Sequence, residues 1–183
     1  MNCKTAVILA AGAGTRMKSE LPKVLHEVCG RPMVSHVISQ AKKAGAETII
    51  AVIGHGAEQV KEGLKEEEIL FALQEKQLGT GHAVMQAADR IPDEGDVFVL
   101  CGDSPLITSE TLAEFAAYHS GSNNAVTVLT ASFDNPFGYG RIIRGEDGNL
   151  QKIVEQKDAD EAEKAVKEVN AGMYCFNGAF LRE

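Results

Sequence analysis

The stretch Lys4-Thr5-Ala6-Val7-Ile8-Leu9 runs without a break into Ala10-Ala11-Gly12-Ala13-Gly14-Thr15-Arg16-Met17. Its first six residues, mostly apolar and partly β-branched, read as a buried strand. Glycines placed directly after such a strand let the backbone turn sharply and bring bare N–H groups close to an anion. Arg16, Lys18 and Lys23 follow, opposed only by Glu20. The loop is therefore a candidate phosphate cradle. It fits neither the dinucleotide fingerprint GxGxxG nor the P-loop GxxxxGK[ST], because Met17 stands where both need glycine.

Outward from this stretch, apolar runs alternate with amphipathic ones. Strands are predicted at 4–9, 48–53, 69–73, 96–100 and 125–132, and helices at 33–43, 57–65, 81–90 and 109–119. Gly45 closes the first helix in the manner of a C-terminal cap. Near-continuous apolar strands such as Thr48-Ile49-Ile50-Ala51-Val52-Ile53 fit a mainly parallel α/β sheet covered by helices on both faces. Open sheets of this kind bind ligands beyond the carboxyl ends of their strands, where the glycine loop lies. After Pro136 the rhythm changes. Strands at 141–144, 150–155 and 169–176 imply mixed strands at one edge, and the charged segment 157–168 implies a solvated helix or loop. Residues 178–183 read as the opening of an apolar helix, so the expectation is one domain over 1–183, truncated at its C-terminus.

Composition narrows the function. The chain has 183 residues, 44% hydrophobic and 24% charged, ordinary for a soluble globular protein. A net charge of −8, no Trp and 5% aromatics argue against a nucleic-acid partner. The apolar run 6–11 is too short to cross a membrane, and cations follow it closely, so a cytoplasmic protein is expected. Cys3, Cys29, Cys101 and Cys175 lack CxxC spacing and are expected to be reduced thiols in the core rather than disulfides or zinc ligands.

A second candidate element follows the fourth strand: Cys101-Gly102-Asp103-Ser104-Pro105-Leu106. A carboxylate here is well placed for a hard cation such as Mg²⁺, which favours one or two carboxylates with phosphate oxygens and water. Asp103 could equally cap a turn before Pro105. His36, His55 and His82 lack metal-ligand spacing and read as structural, His82 as a residue that packs locally.

Taken together, these segments resemble a known family. Leu9-Ala10-Ala11-Gly12-x-Gly14-Thr15-Arg16-Met17 with Leu21-Pro22-Lys23-Val24-Leu25 resembles the signature of sugar-1-phosphate nucleotidylyltransferases. Gln74-x-x-Gln77-Leu78-Gly79-Thr80-Gly81-His82-Ala83, Gly102-Asp103-x-Pro105-Leu106, Gly138-Tyr139-Gly140-Arg141-Ile142, Ile153-Val154-Glu155-x-Lys157-Asp158-Ala159 and Asn170-x-Gly172 follow in order. Over essentially the whole chain they resemble the N-terminal uridylyltransferase domain of bacterial bifunctional N-acetylglucosamine-1-phosphate uridylyltransferases/glucosamine-1-phosphate acetyltransferases.

The resemblance implies a Rossmann-like three-layer α/β/α nucleotidyltransferase that joins UTP and N-acetylglucosamine 1-phosphate into UDP-N-acetylglucosamine for envelope polymers. It implies that Leu9, Ala10, Ala11, Gly12 and Gly14 contact the nucleotide, and that Arg16 and Lys23 neutralise its phosphates. Gln74, Gln77, Gly79 and Thr80 complete the nucleotide site, with the Gln74 amide offering both donor and acceptor to uracil. Cys101, Gly102, Gly140, Glu155 and Asn170 are implied to line the sugar pocket, and Asp103 to hold Mg²⁺. A second metal ligand, an Asn, is expected beyond the end of this chain. So is the β-helical acetyltransferase domain through which full-length members form trimers; no hexapeptide repeat is visible here. Cys101 stands where relatives often carry an aromatic residue, and Ala171 where they often carry Thr. Transfer to another sugar 1-phosphate, use of dTTP, and sugar-nucleotide binding without catalysis are the competing expectations.

Overall fold

The computed structural model describes residues 3–14, 17–92 and 95–181. The chain divides into two compact units, Met1–Thr127 with Tyr174–Glu183, and Val128–Met173.

In the first unit, β1 (Cys3–Ala10) is parallel to β4 (Thr48–Ile53) on one side and to β6 (Asp96–Cys101) on the other. β5 (Leu70–Leu73) extends the parallel array beyond β4. Tyr174–Asn177, the end of β10 (Glu168–Asn177), pairs antiparallel with β6 and makes the sheet mixed. Ala6, Val7 and Ile8 of β1 and Ile50 to Ile53 of β4 are fully buried, as their uninterrupted apolar runs require.

The helices follow from their apolar spacing. α1 (Met33–Lys43) buries Val34, Val37, Ile38 and Ala41. It ends in a Schellman motif: Ala46 N–H donates to Ala41 O at 3.0 Å and Gly45 N–H to Lys42 O at 3.0 Å. Gly45 takes φ +97°, which a side chain would resist. α2 (Ala57–Gly63) ends two residues short of expectation. The expected helix at 81–90 is instead α3 (Thr80–Met85) followed by a 3₁₀ turn at Ala88–Arg90. α4 (Ser109–Ser122) is capped by Thr108, and Ser109 N–H also donates to Gln40 Oε1 at 2.9 Å. The hairpin of β2 (Glu27–Val28) and β3 (Arg31–Pro32) turns through Cys29 and Gly30, both at positive φ. His36 donates to Val28 O at 2.8 Å and so ties this hairpin to α1, a structural role.

In the second unit lie most of β7 (Val126–Ser132), β8 (Arg141–Arg144), β9 (Leu150–Val154), α5 (Glu161–Lys164) and the first part of β10. β8 and β9 form an antiparallel pair, and Val169 of β10 is registered with Arg141 of β8. The charged segment contains α5, a single turn held by a capping box between Asp160 and Glu163, and ends where β10 begins at Glu168. Arg141 is 1% exposed, and its guanidinium binds Tyr139 O and Gln156 Oε1. The final element, α6 (Gly178–Leu181), belongs to the first unit. Among the described residues no helix is long and apolar enough to cross a membrane.

All four cysteines are free thiols. The expectation of core positions holds for Cys3 and Cys175, whose sulfurs lie 3.2 Å apart, but not for exposed Cys29 or half-buried Cys101. Cys29 is at the tip of a tight hairpin, where its side chain has no core to enter.

One buried polar group makes stability pH-dependent. His119 is 2% exposed, with Nδ1 2.7 Å from Thr127 Oγ1 and Nε2 3.7 Å from Asp96 Oδ1. Burial holds its pKa below the ordinary 6.5, and the nearby Asp96 only partly opposes this. The unfolded chain then takes up a proton that the folded chain refuses, so stability present above pH 6.5 is lost as pH falls below it. His119→Gln is expected to flatten that slope in urea melts between pH 7.5 and about 5. An unchanged slope would assign the acid loss to other groups.

Candidate functional site

The first unit gathers the ends of β1, β4 and β6. Leu9 O accepts a hydrogen bond from Gly102 N–H at 3.0 Å, which sets the loop after β1 against the loop after β6. Gly102 is required by this approach: a Cβ there would lie 2.9 Å from Leu9 O and 3.3 Å from Val24 Cγ1. Ala11 O accepts from His55 N–H at 3.1 Å, joining the same loop to the end of β4. Ala10 and Ala11 are buried, whereas Gly12 is exposed and a Cβ on it would meet nothing within 4 Å. This part of the loop is thus open to a ligand. Gly14, at φ +58°, passes so close to Lys23 that a Cβ would sit 2.8 Å from Lys23 Cβ. Arg16 lies outside the described residues.

Lys23 opens a 3₁₀ turn anchored by buried Val24 and Leu25. Its Nζ reaches Asp103 Oδ2 at 2.5 Å. Asp103 lies two residues past the end of β6, so the pair stands where a parallel sheet presents its ligands. Half-buried Cys101 precedes it; burial, with the Asp103 charge, pushes its thiol up to about 11, so it is a neutral thiol at pH 7.

Gln74, just past β5, is 3% exposed. Its backbone N–H donates to Ile53 O at 2.7 Å. Its Nε2 donates to Gly79 O at 3.1 Å and to His82 Nδ1 at 3.0 Å. His82 reaches back to Gln74 from α3 and also lies against Gln86, its Nε2 3.4 Å from Gln86 Nε2. Gln77 lies beside Gly54, where a Cβ would be 2.5 Å from Gln77 Nε2, 2.9 Å from Gln74 O and 3.0 Å from Ala11 Cβ. Gly79 takes φ +101° and Thr80 begins α3, both exposed. Gly54 is a residue the sequence reading passed over, and His82 one it read as packing locally. The Gly-His-Gly turn at 54–56 was the one available signal for Gly54.

In the second unit, Gly140, Glu155 and Asn170 come together. Asn170 N–H donates to Gly140 O at 2.8 Å, and a Cβ on Gly140 would lie 3.2 Å from Glu155 Oε1 and 3.6 Å from Asn170 Cβ. Asn170 Oδ1 accepts from Gly172 N–H at 2.9 Å. Of the residues expected to line a sugar pocket, these three form one polar cluster, and Cys101 and Gly102 belong to the first unit.

Among the described residues there is no group of three or more His, Cys, Asp or Glu side chains suited to a metal. The donor set still fits Mg²⁺. Asp103 is a carboxylate oxygen donor already paired with a cationic side chain, that of Lys23, and Mg²⁺ completes its shell with phosphate oxygens and water when one carboxylate is offered.

The chain is 58% identical over 178 residues to the bifunctional protein GlmU of Alkaliphilus oremlandii, covering 97% of this chain and 39% of that protein. It is 56% identical over 183 residues to the bifunctional protein GlmU of Clostridioides difficile, covering all of this chain and again 39% of the relative. The chain thus spans well under half the length of these curated relatives. Its fold superimposes on the crystal structure of HddC from Yersinia pseudotuberculosis with a TM-score of 0.77 at 21% identity, covering 100% of this chain and 79% of that one. That likeness confirms the Rossmann-like α/β architecture. Residues 6–166 match the family model described as MobA-like NTP transferase domain. A glycine loop after β1, set against a carboxylate after β6 and matched over this span, leads to one conclusion: the chain belongs to the MobA-like NTP transferase domain family.

Proposed function

We propose that the protein transfers a uridylyl group from UTP to N-acetylglucosamine 1-phosphate, with Mg²⁺, giving UDP-N-acetylglucosamine and pyrophosphate. The observation that carries this reading is the Lys23–Asp103 pair at 2.5 Å, beside an open glycine loop. A cation for phosphate oxygens and a carboxylate for a hard metal are what nucleotidyl transfer needs. The similarity to relatives named GlmU supports the choice of substrates.

The sugar-phosphate oxygen attacks the α-phosphorus of UTP, and the bond to pyrophosphate breaks in line. Positioning and charge stabilisation suffice, so no nucleophilic side chain is required. Backbone N–H groups of the loop from Leu9 to Gly14 hold the triphosphate. Lys23 and Arg16 neutralise the charge that builds on its oxygens. Asp103 would hold Mg²⁺, which when bound supplies further neutralisation of the phosphates. Gln74 Oε1 accepts the N3–H of uracil, with Gln77, Gly79 and Thr80 beside it. Gly140, Glu155 and Asn170 recognise the sugar hydroxyls and the N-acetyl group. The product is a cytoplasmic precursor of envelope polymers.

The test is pyrophosphate release from UTP with N-acetylglucosamine 1-phosphate, set against glucose 1-phosphate and against dTTP, with titration of UDP-N-acetylglucosamine alongside. Selective turnover with the first pair is expected. Preference for another sugar or nucleotide would redirect the substrate. Selective binding without pyrophosphate release would reduce the chain to a sugar-nucleotide-binding module.

A further inference from the structure

We infer that Arg141 is a positioning residue for the sugar site: its buried guanidinium fixes the peptide that carries Gly140 N–H and the chain just after Glu155, so affinity for the sugar half of a sugar nucleotide depends on it. This rests on the proposed reading in which Gly140, Glu155 and Asn170 meet the sugar.

A glycine can offer a ligand only its own backbone. Gly140 O accepts from Asn170 N–H at 2.8 Å, so the N–H is the group it has left to give a sugar oxygen. That N–H shares one rigid trans peptide plane with Tyr139 C=O and points the opposite way. Arg141 Nη1 donates to Tyr139 O and thereby sets the direction of Gly140 N–H. Arg141 Nη2 donates to Gln156 Oε1 at 2.7 Å, and the same oxygen accepts from Gly138 N–H at 3.1 Å. Gln156 follows Glu155, whose Oε1 would lie 3.2 Å from a Cβ on Gly140. One guanidinium thus holds the residue before Gly140 and the residue after Glu155. A longer contact, from Nη2 to Lys164 O at 3.5 Å, ties both to the end of α5.

The residue type fits a geometric task. Arg141 is 1% exposed, and the three oxygens it meets are neutral, two backbone carbonyls and an amide. A buried charge without an ionic partner is a costly way to hold a fold together. What it supplies is a planar fork that spans two oxygens at set angles, which an ammonium cannot copy. So deeply buried, it does not meet the sugar itself and acts through its neighbours.

The experiment is calorimetric titration of UDP-N-acetylglucosamine and of UDP into the unmodified protein, Arg141→Lys, Gln156→Leu, Gln156→Glu, Glu155→Ala and Asn170→Ala, each with its melting temperature. Arg141→Lys and Gln156→Leu are each expected to lose about tenfold in affinity for UDP-N-acetylglucosamine, the size of one hydrogen bond, and to keep their affinity for UDP. Gln156→Glu, the conservative replacement, retains an oxygen for both donors and is expected to rescue sugar-nucleotide binding. If Arg141→Lys fails to fold, Gln156→Leu decides. Folded variants that keep full affinity for UDP-N-acetylglucosamine, or that lose both ligands in equal proportion, overturn the inference. The sugar reading then still stands if Glu155→Ala or Asn170→Ala weakens the sugar nucleotide alone. If neither does, or the unmodified protein binds neither ligand or both equally, the sugar reading fails and this inference fails with it.

Discussion

Asp103→Asn is expected to lower the rate of nucleotidyl transfer by about 10²–10³, the usual loss when one charge-stabilising contact to a reacting group is removed. The same substitution is expected to leave the fold almost untouched. The side chains of Lys23 and Asp103 are 42% and 32% exposed, so their ion pair is well solvated. A pair of that kind contributes at most about 1 kcal/mol. For a chain of this length that is a shift of only about 2–4 °C in Tm. Activity and stability therefore separate at this position, and a pyrophosphate-release assay beside a calorimetric melt reads both. A rate within a few-fold of the unmodified protein would remove Asp103 from the reaction. A collapse of Tm would make it a structural residue instead.

Gly54→Ala is expected to do the opposite, damaging fold and ligand binding together. The added methyl would sit 2.5 Å from Gln77 Nε2, which can swing away. It would also sit 2.9 Å from Gln74 O and 3.0 Å from Ala11 Cβ, which cannot. Overpacking of this sort costs about 1–3 kcal/mol, or about 2–12 °C in Tm at this size. Because the displaced groups belong to Gln74 and to the glycine loop, UTP affinity is expected to fall at least about tenfold. Gly12→Ala is the matched control, since its methyl would meet nothing within 4 Å and Tm is expected to hold. Equal melting of both variants with unchanged UTP affinity would show that the contact at Gly54 relaxes freely.

These positions show what the sequence does and does not disclose. β1 and β4 are legible as short uninterrupted apolar runs next to turn residues, and α1 because its apolar residues recur at helical spacing. The Gly45 cap is legible because few residues tolerate its φ of +97°. The break between α3 and the following 3₁₀ turn is not. Ala83, Val84, Ala87 and Ile91 all pack into the core, and over a single turn their spacing suits either helix type. The hairpin around Cys29 hides for another reason: a cysteine at φ +51° carries none of the Asn-Gly chemistry that marks such turns. At the site, Lys23 and Asp103 announce themselves by residue type and by their glycine-rich or strand-end settings. Their meeting depends on Val24 and Leu25 burying the turn that carries Lys23, which is a tertiary event. His82 could not be paired with Gln74 from spacing, because they lie on different elements joined through Gly79 at φ +101°. Gly140 precedes β8, Glu155 follows β9 and Asn170 lies within β10, and only a motif resemblance linked them in advance.

The pairing of Tyr174–Asn177 with β6 bears on how the molecule is made. Val97, Phe98 and Val99 are at most 1% exposed, and the partner that covers one edge of their strand comes from the far end of the chain. During synthesis β6 emerges long before residues 174–177 do. For that interval it presents an unpaired, strongly apolar edge, the feature that invites strands of other nascent chains to add on. Such long-range pairing is also slow to form, because a large loop must close before any contact rewards it. Residues 174–177 are thus the latch of the first unit, and the nascent protein is most exposed to misassembly just before that latch reaches β6.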